Sequence, residues 1–330
     1  MKSFYRFVTV VLLSLFVVVG IPGVHGQAQA LEIKFGHVGA PGSLFDVCAK
    51  EFAKRANAKL GAKATVQAFG SSQLGNDREM LRKLKLGTIT FALPSTVMSS
   101  VVDVFGLFEM PFLVKDRDHM RKIRDQVMVP KMMPAVEKQG YQILAVWENG
   151  FRHITNSKRP INVPEDLKDL KLRTPKGAWR VKMFKTYGAN PTPMAFSEVF
   201  VALQTGVIDG QENPYAQIYP AKFYEVQKYL SITGHVYTPA YVTTGKSAFA
   251  KLPADVQQVL KDVAVEMQEF VYATAEKMED DLLKKLKARM QVNTADKKAF
   301  IAASGSIYEE FGKQVPGGAD LVKAAQSFAD

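Results

Sequence analysis

The sequence predicts an α/β fold built as two domains, on three observations. Its 330 residues, 47% hydrophobic and 23% charged, suffice for two cores of about 150 residues each. Strand-like and helix-like patterns alternate over the first hundred residues and again after Gly150, the order that gives a parallel-rich sheet covered by helices. A long amphipathic stretch follows Pro253, longer than either domain needs by itself. The composition excludes collagen-like, disordered and coiled-coil classes.

The N-terminus is read as a targeting segment rather than as part of the fold. Lys2 and Arg6 form a positive n-region, Val8 to Val19 is an almost unbroken apolar stretch, and Ala28-Gln29-Ala30 offers a peptidase small residues. The apolar core of about 12 residues falls short of the ~20 that span a bilayer. Residues 1–30 are therefore expected to be a signal peptide cleaved after about Ala30, and the mature chain to be exported, periplasmic and soluble. An uncleaved anchor is the alternative, which the Ala-x-Ala site disfavours. Cys48, the single cysteine, excludes an internal disulfide framework and a Cys-rich zinc site. It lies in a helical pattern with Phe45 and Phe52 and reads as a small buried hydrophobe.

The elements then follow in order. Leu31 to Val38 alternates as a strand. Ser43 and Asp46 fit a capping box before Leu44, Cys48, Phe52 and Ala56, a helix that runs to Gly61. Ala64 to Phe69 is a second strand. Asn76 and Glu79 cap a helix through Met80, Leu81 and Leu84 that stops at Gly87. Thr88 to Leu93 is a third strand, ended by Pro94. Beyond Gly150, Val163 to Asp166 opens a helical turn and Leu170 to Thr174 is a strand. Trp179 to Tyr187 is a helix, Ser197 to Thr205 another with Ser197 as cap, and Val207 to Gln211 a short strand. From Val256 through Val263, Met267, Val271 and Ala275 to Leu282, apolar residues recur at three- and four-residue steps. The pattern fits one helix of about 37 residues reaching Met290, ~55 Å long, and fits equally two helices with a break between them.

The net charge is +11, and removal of Lys2 and Arg6 lowers it to +9. Basic and acidic residues are mixed, as in Lys50-Glu51, with no basic stripe interleaved with aromatics, so a nucleic-acid partner is not expected. Catalytic signatures are missing: no Gly-x-Gly-x-x-Gly after a strand, no phosphate-binding loop, no His-Glu-x-x-His and no Gly-x-Ser-x-Gly. His37, His119, His153 and His235 share no metal-ligand spacing. No catalytic residue, metal site or cofactor is expected.

Two arginines and one polar cluster carry the candidate chemistry. Arg173 stands at the carboxyl end of a strand in Leu170-Lys171-Leu172-Arg173-Thr174-Pro175, where open α/β sheets place their ligand crevice. Leu172 and Thr174 share one face, so Arg173 points the other way, and its planar guanidinium suits a carboxylate. Arg152, in Gly150-Phe151-Arg152-His153, lies where the chain leaves the first domain. Both fit surface arginines as well. The run Asp209-Gly210-Gln211-Glu212-Asn213-Pro214 can present amide groups to a ligand or simply cap a turn.

At these residues a family resemblance emerges. The run from Gly188 through Asn190-Pro191-Thr192-Pro193-Met194-Ala195-Phe196-Ser197-Glu198 and Leu203-Gln204-Thr205-Gly206 to Pro214 resembles the core motif of the extracytoplasmic solute receptors (DctP type) of tripartite ATP-independent periplasmic (TRAP) transporters. Ser72-Gln73-Leu74-Gly75, Phe151-Arg152, Leu172 to Pro175 and Glu225 to Leu230 match as well, so the resemblance runs along nearly the whole mature chain. It implies a two-lobed periplasmic binding protein in which the chain crosses between lobes more than once and a long C-terminal helix spans both. With that fold, lobe I is expected over 31–150 plus about 239–278 and lobe II over 151–238 plus about 279–330. By match, Arg173 pairs with a ligand carboxylate and Arg152 is the second arginine beside it. Asn213 bonds the same end, and Phe196 packs on the ligand's apolar face. Ser95 and His37 match positions that read the far end, with Asp77 a weaker match. Sialic-acid receptors have an acidic residue at the place of Ser95, which argues against sialic acid here. The resemblance implies a monomer that delivers a small organic acid to the membrane subunits of a TRAP permease. A receptor signalling through a sensor protein and an enzyme acting on an organic acid are the rival readings.

Overall fold

A computed structural model describes residues 30–329 of the chain, so the expected signal peptide lies outside the described residues except for Ala30. The first unit begins with β1 (Leu31–Gly36), whose Ile33 and Phe35 turn into the core. Next come α1 (Leu44–Leu60) and β2 (Ala64–Phe69), then α2 (Asp77–Leu86) and β3 (Phe91–Ala92). β1 pairs in parallel with both β2 and β3. At α1, Ser43 Oγ accepts from the Asp46 amide at 3.3 Å. At α2 the expected capping box is complete. Asn76 Oδ1 accepts from the Arg78 and Glu79 amides and Glu79 accepts from the Asn76 amide. Gly87, at φ +73°, closes the same helix. β3 is shorter than the expected Thr88 to Leu93 because the Thr88 amide bonds back to the Lys83 carbonyl in that closing turn.

Between β3 and the next strand lie two 3₁₀ stretches, Thr96–Ser100 and Asp103–Glu109, then α3 (Arg117–Ile123), a π-helical stretch Arg124–Met132 and α4 (Met133–Lys138). Pro130, inside the π-helical stretch, has no amide proton to complete an α-helical ladder.

Two long antiparallel strands organise the rest. β4 (Tyr141–Asn156) has 16 residues, about 50 Å at 3.3 Å per residue. Its partner is β8, Tyr229–Gly245. Between them in sequence stand β5 (Lys171–Thr174), α5 (Ala178–Thr186), β6 (Asn190–Pro193), α6 (Val199–Gln204), β7 (Gly210–Asn213) and α7 (Tyr215–Ile218). The expected helix from Ser197 divides into a 3₁₀ turn, Phe196–Glu198, and α6. There Glu198 rather than Ser197 caps, accepting from the Ala195 amide at 2.8 Å. The sheet runs β2-β1-β3-β8-β4-β7-β5-β6, so β4 and β8 join a parallel sheet at one end to a second at the other. This is the mixed α/β, two-lobed architecture in which the chain crosses between lobes repeatedly. The pairing of β4 with β8 shifts register between Glu148 and Gly150 and between Arg152 and Ile154; Gly150, at φ +119°, takes a conformation open mainly to glycine.

After α8 (Lys246–Phe249), α9 (Ala254–Lys287) is one unbroken helix of 34 residues, about 51 Å long. That settles the one-or-two-helix alternative, although the helix ends short of Met290. Val256, Leu260, Val263, Met267, Val271 and Ala275 form its buried stripe, and Lys284, Lys285 and Lys287 occupy its last turn, where the helix dipole favours cations. β9 (Gln291–Thr294) joins β8 in parallel, and α10 (Lys297–Ala302), α11 (Gly305–Gln314) and α12 (Gly318–Gln326) end the chain. Cys48 is buried, with its thiol pushed well up by burial. Among the described residues no helix is long and apolar enough to cross a membrane.

Candidate functional site

A cleft of about 600 Å³ opens between the two lobes. One wall comes from Val38, Phe45, the start of α2 (Asn76, Asp77, Arg78) and the segment after β3 (Ser95, Thr96). The other comes from the end of β5 (Arg173, Pro175, Lys176), Met194 to Phe196 after β6, and Asn213 and Gln217. Asn149 and Arg152 of β4 reach it from the crossing strand. The walls touch beside the cleft: a Cβ on Gly177 would come within 2.8 Å of Ser99 Oγ. The two walls therefore meet at this point.

Arg173 is buried although it lines the cleft. Leu172 and Thr174 turn into the core, as the strand pattern requires. The Arg173 guanidinium donates from Nε and Nη2 to the Met194 carbonyl, at 3.2 and 2.9 Å, and stands 5.9 Å from the Phe196 ring centroid. Among the described residues no carboxylate pairs with it. Burial first, and then the charges of Arg152 and Arg180, pull its pKa down to about 9 against the opposing pull of Glu212 and Asp77. It remains charged at neutral pH.

Arg152 differs. Its Nε donates to Glu212 Oε2 at 2.5 Å, and its Nη2 donates to Oε1 at 3.0 Å and to the Glu212 carbonyl at 2.6 Å. Glu212 also accepts from Arg180 Nη1 at 2.7 Å and faces His235 Nε2 at 3.1 Å. Burial opposes ionisation of this carboxyl, but Arg152 and Arg180 overcome it and hold it well below the usual carboxylate range. Burial lowers His235 to about 4, so its ring is neutral at pH 7. A carboxylate only accepts, which puts the ring proton on Nε2, and Thr233 then donates to Nδ1 across 2.8 Å. Arg180 also lies 2.9 Å from Glu109, though off the hydrogen-bonding direction. Burial and the neighbouring Glu212 push Glu109 up to about 7. Three buried guanidiniums thus face Glu212 and a half-titrated Glu109, and the surplus is positive. Burying an uncompensated charge is costly, so the cleft is built for an anion.

Arg173, Arg152, Asn213, Phe196, Ser95 and Asp77, the residues singled out by sequence, line this one cleft. Asn213 Nδ2 donates to Gln211 Oε1 at 2.6 Å, which fixes its amide. His37 is not brought to the wall. Its neighbour Val38 is, while the His37 ring turns inward, edge-on to Phe45 at 6.4 Å, with neither nitrogen bonded and its pKa lowered to about 4 by burial. Sequence reasoning missed Arg180, Glu109, Asn149 and Gln217. The run Ala178-Trp179-Arg180-Val181, with an arginine between apolar residues of a short helix, was the one available signal. Among the described residues no group of three or more His, Cys, Asp or Glu is placed to hold a metal ion.

Comparisons with known proteins agree with this geometry. Residues 35–314 match the family described as bacterial extracellular solute-binding protein, family 7. The 2,3-diketo-L-gulonate-binding periplasmic protein YiaO of Escherichia coli K12 is 36% identical over 299 residues, which cover 89% of this chain and 91% of that one. The sugar acid binding protein DctPAm of Advenella mimigardefordensis, solved with galactonate, superposes with a TM-score of 0.87 at 31% identity, over 91% of this chain and 99% of that one. A TRAP periplasmic solute binding protein of Sulfurospirillum deleyianum, solved with succinate, gives 0.86 at 34% identity, over 90% and 99%.

Proposed function

The chain belongs to family 7 of the bacterial extracellular solute-binding proteins, and from that premise we propose that it captures a small organic acid by its carboxylate on Arg173. It is an extracytoplasmic receptor of the TRAP type, and the family is one of receptors rather than enzymes. The reading adds that the mature chain is a periplasmic monomer, freed of residues 1–30, whose closed form is recognised by the membrane subunits of a TRAP permease. Its lobes are taken as 31–150 plus about 239–278 and 151–238 plus about 279–330, hinged where the β4–β8 register shifts around Gly150.

One observation carries the proposal: a buried guanidinium on the cleft wall with only a carbonyl for a partner. A ligand carboxylate supplies the missing counter-charge. Asn213 offers it a second amide proton and Phe196 a face for its carbon chain. Arg152, consumed by Glu212, acts chiefly through the field it adds and by holding Glu212 and Asn213 in place. Closure removes water from the pair, which strengthens it and brings residues of both lobes onto one ligand.

Removing one partner of a buried charge pair costs about 2–5 kcal/mol, so Arg173→Ala should weaken acid binding roughly 30- to several-thousand-fold. Calorimetric titration of wild type and variant with a bound acid measures this directly, and an unchanged affinity would remove Arg173 from the site.

A further inference from the structure

Resting on the two-lobed reading above, we infer that Arg117 is a positioning residue for ligand capture, tying β4 to α9 behind the cleft and so holding the cleft walls together. The argument starts at the weakest rung of the β4–β8 ladder. Glu148 pairs with Pro239 and Gly150 with Thr238, which leaves Asn149 of β4 without a partner across the ladder. Pro239 has no amide proton to give, and Gly150 stands at φ +119°. Asn149 lines the ligand cleft. The same residue lines a second cavity of about 260 Å³, walled also by Arg117, Glu148, Gly150, Tyr215 and Glu279. The strand is therefore least firmly paired where it has free space beside it.

Arg117, the first residue of α3, makes two kinds of bond there. Its Nε and Nη2 donate to the two carboxylate oxygens of Glu148, both at 2.8 Å, and Nη2 also donates to Glu279 Oε2 at 2.8 Å. Glu148 is 1% exposed, so its pairing is part of the folded core. Glu279 is 34% exposed, and water can take the place of its partner at modest cost. What sets the Glu279 bond apart is where it lands on α9. Earlier in that helix the contacts are with the first lobe: Glu266 accepts from Arg55 and Lys59 of α1, and the Ala264 carbonyl accepts from Trp147. Later in the helix, Lys285 lies 5.7 Å from the ring of Tyr219, the residue after α7 in the second lobe. Glu279 falls between these, at the boundary taken for the lobes, and Arg117 comes from the first lobe. The Glu279 bond is thus made across the hinge, whereas those of Glu266 stay within one lobe. The cleft walls meet at Ser99 and Gly177, so the tether belongs to the arrangement with the walls together. Cutting it favours the arrangement with the walls apart.

The test reads the lobe separation of the purified full chain without ligand. Nitroxide labels on Leu86→Cys and Val201→Cys, exposed positions of α2 and α6, report it by pulsed electron paramagnetic resonance. Cys48 is buried and stays unlabelled. Arg117→Ala would strand Glu148 as a buried unpaired charge, so the cut is Glu279→Gln, with Glu266→Gln as the control on the same helix. A partly exposed ion pair moves a two-state ratio about 2- to 5-fold. Glu279→Gln should therefore raise the ratio of long to short label distances by that factor, and Glu266→Gln should leave it unchanged. Both should melt within about 3 °C of the labelled parent. An unchanged ratio, an equal rise in Glu266→Gln or a shift toward shorter distances overturns the inference. A much larger fall in melting temperature with unchanged distances makes the Glu279 bond structural and overturns it as well. Because the distances are read without ligand, these failures leave the carboxylate reading standing, and Arg173→Ala tests that reading separately.

Discussion

Arg152 and Arg173 line the same cleft, both buried and both charged, and the protein treats them in opposite ways. Arg152 receives a bidentate carboxylate, a backbone carbonyl and a place in a network with Arg180 and His235. Arg173 receives one carbonyl. The fold spends a buried carboxylate held well below the usual range, Glu212, on the Arg152–Arg180 network and leaves the adjoining guanidinium under-partnered. The pairing of the first arginine makes the second selective: without Glu212, Arg152 would lose its counter-ion and Arg180 would keep only Glu109.

The comparison breaks most sharply at Glu212. Glu212→Gln removes the shared counter-ion of Arg152 and Arg180 while keeping the side chain's shape. Breaking a buried pair from one side costs about 3–5 kcal/mol, so the urea midpoint of the ligand-free variant should fall far below that of wild type. A midpoint within error would mean that the network contributes little to folding.

The same substitution logic gives the opposite sign at Arg173. In the ligand-free protein this residue is a buried cation without a carboxylate, so Arg173→Met should leave stability unchanged or raise it by about 1 kcal/mol, while abolishing the ligand-induced rise in melting temperature. A large loss of stability would show Arg173 to be a structural residue like Arg152, and the contrast between the two would disappear.

How much of this was legible depended on whether the determining contacts were local. The α2 capping box, Asn76 with Glu79, is written within four residues, and the Gly87 stop follows it directly. Arg173 was placed on the open side of its strand by the alternation of Leu172 and Thr174 around it. The long strands were not visible. In β8, Val236, Tyr237, Ala240, Tyr241 and Val242 are all buried, and a strand covered on both faces shows no alternation. The Arg180–Glu109 pair joins α5 to the 3₁₀ stretch Asp103–Glu109, some seventy residues earlier in the chain, a contact only the folded chain makes. Gln217 Oε1 is left without a partner while its Nε2 donates to Asn149 Oδ1, 68 residues away in sequence, and no single segment contains that arrangement.

The smallest effect refines the comparison at its least settled charge. Glu109 neighbours both regions and titrates near 7, raised from the usual carboxylate range mainly by burial. Between its unfolded value and about 7 the folded protein holds a proton that the unfolded chain has lost, so this group's contribution to stability falls as pH rises through that window. His37, His153 and His235, all lowered by burial, act in the opposite direction below about 6.5, where the unfolded chain takes up protons that the fold refuses. The two trends mask each other in wild type, so the informative quantity is a difference. Glu109→Gln keeps the shape and removes only the carboxyl's titration. The variant should gain melting temperature relative to wild type as pH is raised from 5 to 8, by a few degrees at most. A pH-independent offset would instead mean that Arg180 keeps Glu109 ionised throughout. The surplus positive charge of the cleft would then be smaller, and Arg173 would hold its ligand with correspondingly less help from the network beside it.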